Sequence, residues 1–252
     1  MPPMGSQEER AAARVGTTLR GKYRLERVLG VGGMAAVYAA VHCNNASRVA
    51  VKVLHPELSG DPSTRARFQR EGYAANSIGH AAAVRVLDDD VAEDGAAFLV
   101  MELLEGETLD ARAKRLGGRL PVREALALGR ALLDALAAAH EKGIVHRDVK
   151  PENLFLTTER ALKILDFGIA RVRDAPAAHT WTGAAMGTPA FMPPEQALGR
   201  TDEVDARTDV WAAGATLFRL LSGAFVHEGR SGAEVVVHAA TKPARSLGDV
   251  AP

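Results

Sequence analysis

Cysteine is nearly absent: Cys43 is the only one in 252 residues, which rules out an internal disulfide and any thiolate zinc cluster. A lone thiol fits a reducing compartment and reads as a small apolar filler. Net charge is absent too, since 31 Lys and Arg cancel 31 Asp and Glu. No global field therefore favours nucleic acid, an anionic membrane or a strongly acidic partner. Long hydrophobic runs are missing: the longest uncharged apolar stretch, Val210 to Phe218, falls far short of the ~18 residues of a membrane span. Residues 1–20 hold nothing like the apolar core of a secretion signal and read as a flexible tail. The eight histidines lack metal-ligand spacing, and His140 and His146 flank a turn rather than share a helix face. The expectation is a segment with no nucleic-acid and no membrane contact, in the cytoplasm.

What is present is globular composition, 47% hydrophobic and 25% charged, enough for one large core or two small ones. From Tyr23 to Val53, short runs rich in β-branched residues alternate with Gly- or Asn-rich breaks, which predicts antiparallel strands. Asp61-Pro62 opens a helix that Gly79 closes, and strand character returns at Val84–Leu87 and Ala97–Leu103. The run Asp88-Asp89-Asp90 reads as a solvated turn. Beyond Gly117-Gly118 the grammar becomes helical. Pro121 starts a long helix with Val122, Leu126, Gly129, Leu133 and Leu136 on its apolar face, ended by Gly143. Further helices are predicted over Asp209–Leu221, with Asp209 as its N-cap, and over Ser231–Ala240.

Three features carry chemistry. In Gly30-Val31-Gly32-Gly33-Met34-Ala35-Ala36-Val37 the glycines let backbone N–H groups approach a polyphosphate. Strand and turn follow rather than a helix, so a flap between strands fits better than a dinucleotide fold, and an ordinary glycine hairpin is the alternative. Lys52 sits within the apolar strand Val49-Ala50-Val51-Lys52-Val53, either outward-facing or inward and in need of an anion. Glu71 shares a helix face with Phe68, Ala75 and Ile78, and an ion pair with Lys52 would satisfy both charges. Gly72 beside it should weaken that helix by about 1 kcal/mol relative to alanine, which suggests a mobile helix.

The third feature is Val145-His146-Arg147-Asp148-Val149-Lys150-Pro151-Glu152-Asn153 followed by Lys163-Ile164-Leu165-Asp166-Phe167-Gly168. With the flap and Val-Ala-Val-Lys before it, this order resembles the signature of protein kinases, and bacterial Hanks-type serine/threonine kinases in particular. The resemblance implies an α+β bilobal fold: a small antiparallel N-lobe plus one helix over residues 21–104, and a mostly helical C-lobe over 105–252. It further implies ATP and Mg²⁺ as cofactors. Asp148 would steer the substrate hydroxyl's proton, Lys150 would stabilise the transferring phosphoryl group, and Asn153 and Asp166 would hold magnesium. Gly30, Val31, Gly32, Gly33 and Lys52 would serve the phosphates, with Glu71 pairing Lys52. Met101, Glu102 and Leu104 would belong to the hinge, while Val37, Ala50 and Phe155 would sandwich the adenine. Thr188, in Gly187-Thr188-Pro189, would contact Asp148 and Lys150. Thr180 and Thr182 resemble activation-loop threonines that such kinases phosphorylate on themselves, which implies self-association, and Arg147 offers a fork for the phosphate. Asp209 matches an aspartate that tethers the catalytic loop.

Two departures stand out. Ala35 replaces the flap's third glycine, and the family's helical lobe normally continues well past Gly223, so the chain reads as cut short and Glu195 as lacking its arginine partner. The implied partners are proteins presenting Ser or Thr. The rivals are a nucleotide-binding pseudokinase or scaffold, which the intact set of Lys52, Glu71, Asp148, Lys150, Asn153 and Asp166 opposes, and a small-molecule kinase, which Gly187-Thr188-Pro189 opposes.

Overall fold

The structure is a computed structural model that describes residues 6–166 and 189–251. The chain divides into two compact units, Met1–Asn76 with Val84–Leu104, and Ser77–Ala83 with Glu105–Pro252.

The first unit is built on a six-stranded antiparallel sheet. Its elements are α1 (Gln7–Ala13), β1 (Thr18–Leu19), β2 (Tyr23–Val31), β3 (Ala35–His42), β4 (Arg48–Leu54), α2 (Pro56–Ser59), α3 (Pro62–Ile78), β5 (Val86–Val91) and β6 (Ala97–Glu102), with strand order β1-β2-β3-β4-β6-β5. Because side chains alternate across a strand, β4 splits its residues between two cores. Val49, Val51 and Val53 join Leu25, Tyr38, Phe98 and Val100 on one face. Leu54 joins Phe68 of α3 with Ala35 and Leu99 on the other, and parity puts Ala50 and Lys52 on that second face.

Of the tail expected over the first 20 residues, residues 6–20 are instead structured. Ser6 caps α1 through a reciprocal box with Glu9, and Ala11 is buried in the first core. Arg10 pairs with Glu57 at 2.9 Å, and Arg14 pairs with Asp94. Beyond the helix, Gly16 N–H donates to Leu25 O at 2.8 Å and Leu25 N–H to Thr17 O at 2.9 Å, leading into β1. Composition misled because a single small residue, Ala11, supplies the buried contact. Ala11→Asp should place an unpaired carboxylate in that core and destabilise the first unit by about 2 kcal/mol or more, read as a lower thermal midpoint.

Two other expectations need correction, and Gly72 gains a second reason. Asp88, Asp89 and Asp90 lie in β5, at the sheet edge, where Asp88 accepts from the Tyr23 hydroxyl at 2.8 Å and Asp90 pairs with Arg20 at 3.3 Å. Acidic residues on an edge strand discourage further strand pairing, which explains a charged sequence in a strand. Cys43 is exposed in the turn between β3 and β4, so it fills no core. Gly72 has a packing role: a Cβ there would stand 2.9 Å from Leu99 Cδ1 and 3.4 Å from Val86 Cγ2. The glycine lets α3 lie close on the sheet, which offsets its poor helix propensity.

The second unit contains β7 (Gly106–Thr108), α4 (Leu109–Arg115), α5 (Val122–Glu141), β8 (Leu154–Thr157), β9 (Leu162–Ile164), α6 (Pro194–Ala197), α7 (Ala206–Ser222) and α8 (Gly232–Thr241). Strands β7, β8 and β9 form a three-stranded antiparallel sheet. The predicted face of α5 holds at Gly129 and Leu136 only: Val122, Leu126 and Leu133 are exposed, whereas Ala125, Leu128, Leu132, Ala135 and Ala139 are buried with those two. A Cβ on Gly129 would lie 2.8 Å from Leu217 Cδ2 of α7, so the small residues mark where the two helices approach most closely. Helix α7 also begins earlier than predicted. Its N-cap is Asp205, whose capping box with Thr208 leaves Asp209 a turn inside and fully buried. Its end at Gly223, in the left-handed conformation with φ 76°, and the Ser231 cap of α8 are as the sequence predicted.

Candidate active site

Each unit holds its own group of the predicted residues. In the first, the β2–β3 hairpin pairs Gly30 with Val37 and Val31 with Ala36, leaving Gly32, Gly33 and Met34 as the tip. Ala36 and Val37 continue directly into strand, which excludes the helix a dinucleotide fold would require. Lys52 is the register partner of Val37 on β3 and Leu99 on β6. Its ammonium lies 5.9 Å from the centre of the Phe68 ring, and Glu71 follows Phe68 by one helical turn on α3. The lysine therefore points inward, at the helix that carries Glu71. Ala50 pairs with Met101 across β4 and β6. The next residue, Glu102, is held at both ends: its N–H donates to Arg85 O at 3.1 Å, and its carboxylate accepts from Arg85 N–H at 2.8 Å. Leu104 is half-buried at the end of this unit.

In the second unit, the turn after α5 becomes a loop organised by buried polar groups. Asp209 is the anchor. Its Oδ2 accepts from the backbone N–H of His146 at 2.8 Å and faces His140 Nε2 at 2.7 Å, and its Oδ1 accepts from the N–H of Arg147 at 2.8 Å. A carboxylate with no solvent contact needs such donors, since burying it bare would be costly. Arg147 takes a left-handed backbone with φ 69°, and Gln196 Nε2 donates to its carbonyl at 3.2 Å. Strain of this kind persists only where surroundings over-determine it, as the Asp209 tether does.

Asp148 follows. Its Oδ2 accepts from Asn153 Nδ2 at 2.8 Å and pairs with Lys150 Nζ at 3.0 Å. The same Asn153 nitrogen reaches Asp148 O at 2.8 Å, and because both partners are acceptors the amide must present its nitrogen to them. Leu165 N–H donates to Asn153 O at 2.8 Å, and β8 pairs with β9 through Leu154 and Ile164. Asn153 and Asp166 thus come from the same end of one hairpin, with Asp166 in a left-handed conformation at φ 49°. Phe155 stands half-buried on β8 opposite Thr108 and Lys163. Thr180, Thr182 and Thr188 lie outside the described residues. Glu195, expected to lack the family's arginine partner, is met by the Thr208 hydroxyl, which donates to it at 2.6 Å.

Sequence reasoning missed His146 and His140. His146 has no solvent contact; its Nε2 donates to Leu165 O at 3.3 Å and its Nδ1 accepts from Asp148 N–H at 3.2 Å. Burial holds its pKa below the ordinary imidazole value of 6.5, against the opposing pull of Asp209, Asp148 and Asp166. Burial also lowers that of His227, which His238, Arg245 and Lys242 reinforce. The unfolded chain binds these protons first as pH falls, so stability is complete above about pH 6.5 and declines below it. The thermal midpoint should stay level from pH 8 to 7 and drop between pH 6.5 and 5; a midpoint flat to pH 5 would show that the rings do not stay neutral in the fold.

Comparison with known proteins gives the family. A family model described as "Protein kinase domain" matches residues 23–247. The serine/threonine-protein kinase Pkn1 of Myxococcus xanthus is 43% identical over 229 residues, 88% of this chain and 32% of that protein. The serine/threonine-protein kinase PknA of Mycobacterium tuberculosis is 43% identical over 214 residues, 83% of this chain and 49% of that protein. The chain spans about a third to a half of the length of these curated relatives. A crystal structure of the Mycobacterium tuberculosis PknI kinase domain, a double mutant, superposes with a TM-score of 0.71 at 30% identity, covering 93% of this chain and 83% of that one.

Proposed function

The chain belongs to the protein kinase family, and from that premise we propose that it transfers the γ-phosphate of ATP to serine and threonine hydroxyls of other proteins. The fold is the bilobal α+β kinase fold, as the resemblance implied. The observation that carries the proposed activity is the Asp148 carboxylate, held by Asn153 and Lys150 in a loop pinned by buried Asp209. A carboxylate oriented this way can accept or steer the proton of an incoming hydroxyl, and the Lys150 ammonium beside it can stabilise charge on the phosphoryl oxygens.

The residues present suit magnesium. With its nitrogen committed to Asp148, Asn153 has its amide oxygen left to offer, and Asp166 adds a carboxylate; hard oxygen donors of this sort are what Mg²⁺ takes. Asn153 and Asp166 would hold the ion, which supplies charge neutralisation along the triphosphate when bound. Lys52, inward-facing and near α3, would serve the phosphates with Glu71 as its partner. Gly30, Val31, Gly32 and Gly33 would cover them; Val37, Ala50 and Phe155 would contact the adenine, and Met101, Glu102 and Leu104 would line its edge. We assign Thr180 and Thr182 as self-phosphorylation sites read by Arg147, with Thr188 contacting Asp148 and Lys150. Self-association would serve that step. Among the described residues no helix is long and apolar enough to cross a membrane, and we place the reaction in the cytoplasm.

The test is incubation with ATP and Mg²⁺, with and without a generic protein substrate, and mass spectrometry of every Ser and Thr. Phosphate on the substrate, and on Thr180 or Thr182, is expected. A folded chain that binds ATP and phosphorylates nothing would favour a scaffold.

A further inference from the structure

The tip of the glycine flap is fastened by a residue outside it. His55, directly after β4, is buried, and its Nε2 lies 2.8 Å from the carbonyl oxygen of Gly32. Its backbone N–H donates to Met34 O at 2.9 Å, while Gly32 N–H donates to Ala35 O at 2.9 Å. One residue therefore grips the carbonyls on both sides of Gly33. Since a carbonyl only accepts, Nε2 must carry the hydrogen that bonds it.

We infer that His55 is a positioning residue for phosphate binding, acting through the peptide between Gly32 and Gly33. That inference rests on the kinase reading above. The peptide is planar and trans, so its C=O and N–H point in opposite directions. Fixing the Gly32 carbonyl toward the buried imidazole turns the Gly33 N–H away from the protein interior. Glycines on either side of this bond give the backbone little preference of its own, and the peptide would otherwise flip at small cost. The imidazole thus supplies the order that the flap's glycines lack, and presents a ready backbone donor to a phosphate oxygen. Neither His55 nor the Gly32–Gly33 peptide is among the residues proposed above for the adenine.

The experiment compares binding of MgATP and of adenosine, by fluorescence titration or calorimetry, in the wild type, His55→Leu, His55→Gln and His55→Asn. Leucine removes the donor, glutamine can place an amide N–H near the Nε2 position, and asparagine is too short to reach. Leucine and asparagine should weaken MgATP by about five- to tenfold, the worth of one buried hydrogen bond, and leave adenosine within about twofold. Glutamine should return MgATP to within about twofold of wild type. Should leucine fail to fold, the contrast between glutamine and asparagine carries the same information. Equal losses for adenosine and ATP, or no loss with asparagine, would overturn the role of His55 while leaving the kinase reading intact. A folded wild type that binds neither ligand would overturn the kinase reading, and this inference with it.

Discussion

Asp148→Asn should abolish phosphotransfer while leaving the protein folded and able to bind ATP. The substitution is nearly isosteric, and the new amide can still offer an oxygen to Asn153 Nδ2, which sits 2.8 Å from the present carboxylate. What it removes is the negative charge that a departing hydroxyl proton needs, and the charge that holds the Lys150 ammonium at 3.0 Å. General base assistance and orientation of the nucleophile together are worth about 10²- to 10⁴-fold, so the rate should fall by at least a hundredfold. The thermal midpoint should change little, because Asp148 is partly exposed and its backbone N–H bond to His146 Nδ1 is untouched. Steady-state phosphorylation of a generic protein, paired with MgATP binding, separates the outcomes. A variant that keeps more than about a tenth of the wild-type rate would show that the proton leaves by another route, and Asp148 would be reassigned to structure.

How much of this site was legible depended on whether the determining contacts are local. Period-two alternation in Val49-Ala50-Val51-Lys52-Val53 put Lys52 on the face opposite the three valines but left open whether that face was covered, and Phe68 of α3 settles it. The end of α7 at Gly223 and the start of α8 at Ser231 were legible, since caps are chosen by neighbouring residues. By contrast, α5 carries leucines on more than one side, so periodicity alone could not say which side meets α7; Ala125 and Gly129 decide it by permitting close approach. Helix α1 was missed because Ala11 is a weak hydrophobic signal until the sheet beneath it is known. The catalytic loop was recognised by resemblance, yet the grip of His55 on Gly32 and the paired histidines around Asp209 join residues far apart in sequence. No local pattern encodes them.

Asp209 offers the second large effect, and it should differ in kind from that of Asp148. Alanine here would strip the acceptor from two backbone N–H groups and face His140 with an apolar side chain, all in a region closed to solvent. Buried donors left unsatisfied cost about 1–3 kcal/mol each, so a total near 3–5 kcal/mol is expected. For a chain of this size that corresponds to a thermal midpoint lower by about 6–20 °C. Asparagine is the sharper probe. With its oxygen toward His146 N–H, its amide group opposes Arg147 N–H; turned over, it opposes His146 N–H instead. The His140 ring can change tautomer to suit, but a backbone N–H cannot. Asp209→Asn should therefore lower both the midpoint and the phosphorylation rate, because Arg147 in its left-handed conformation would lose the bond that holds Asp148 in place. His140→Ala, which leaves both backbone bonds intact, should cost less on each count. A rate that falls with Asp209→Asn while the midpoint holds would mean that the loop's geometry, and not the stability of the unit, depends on the buried charge. Equal effects of Asp209→Asn and His140→Ala would instead assign the tether to the contact between Asp209 and the His140 imidazole.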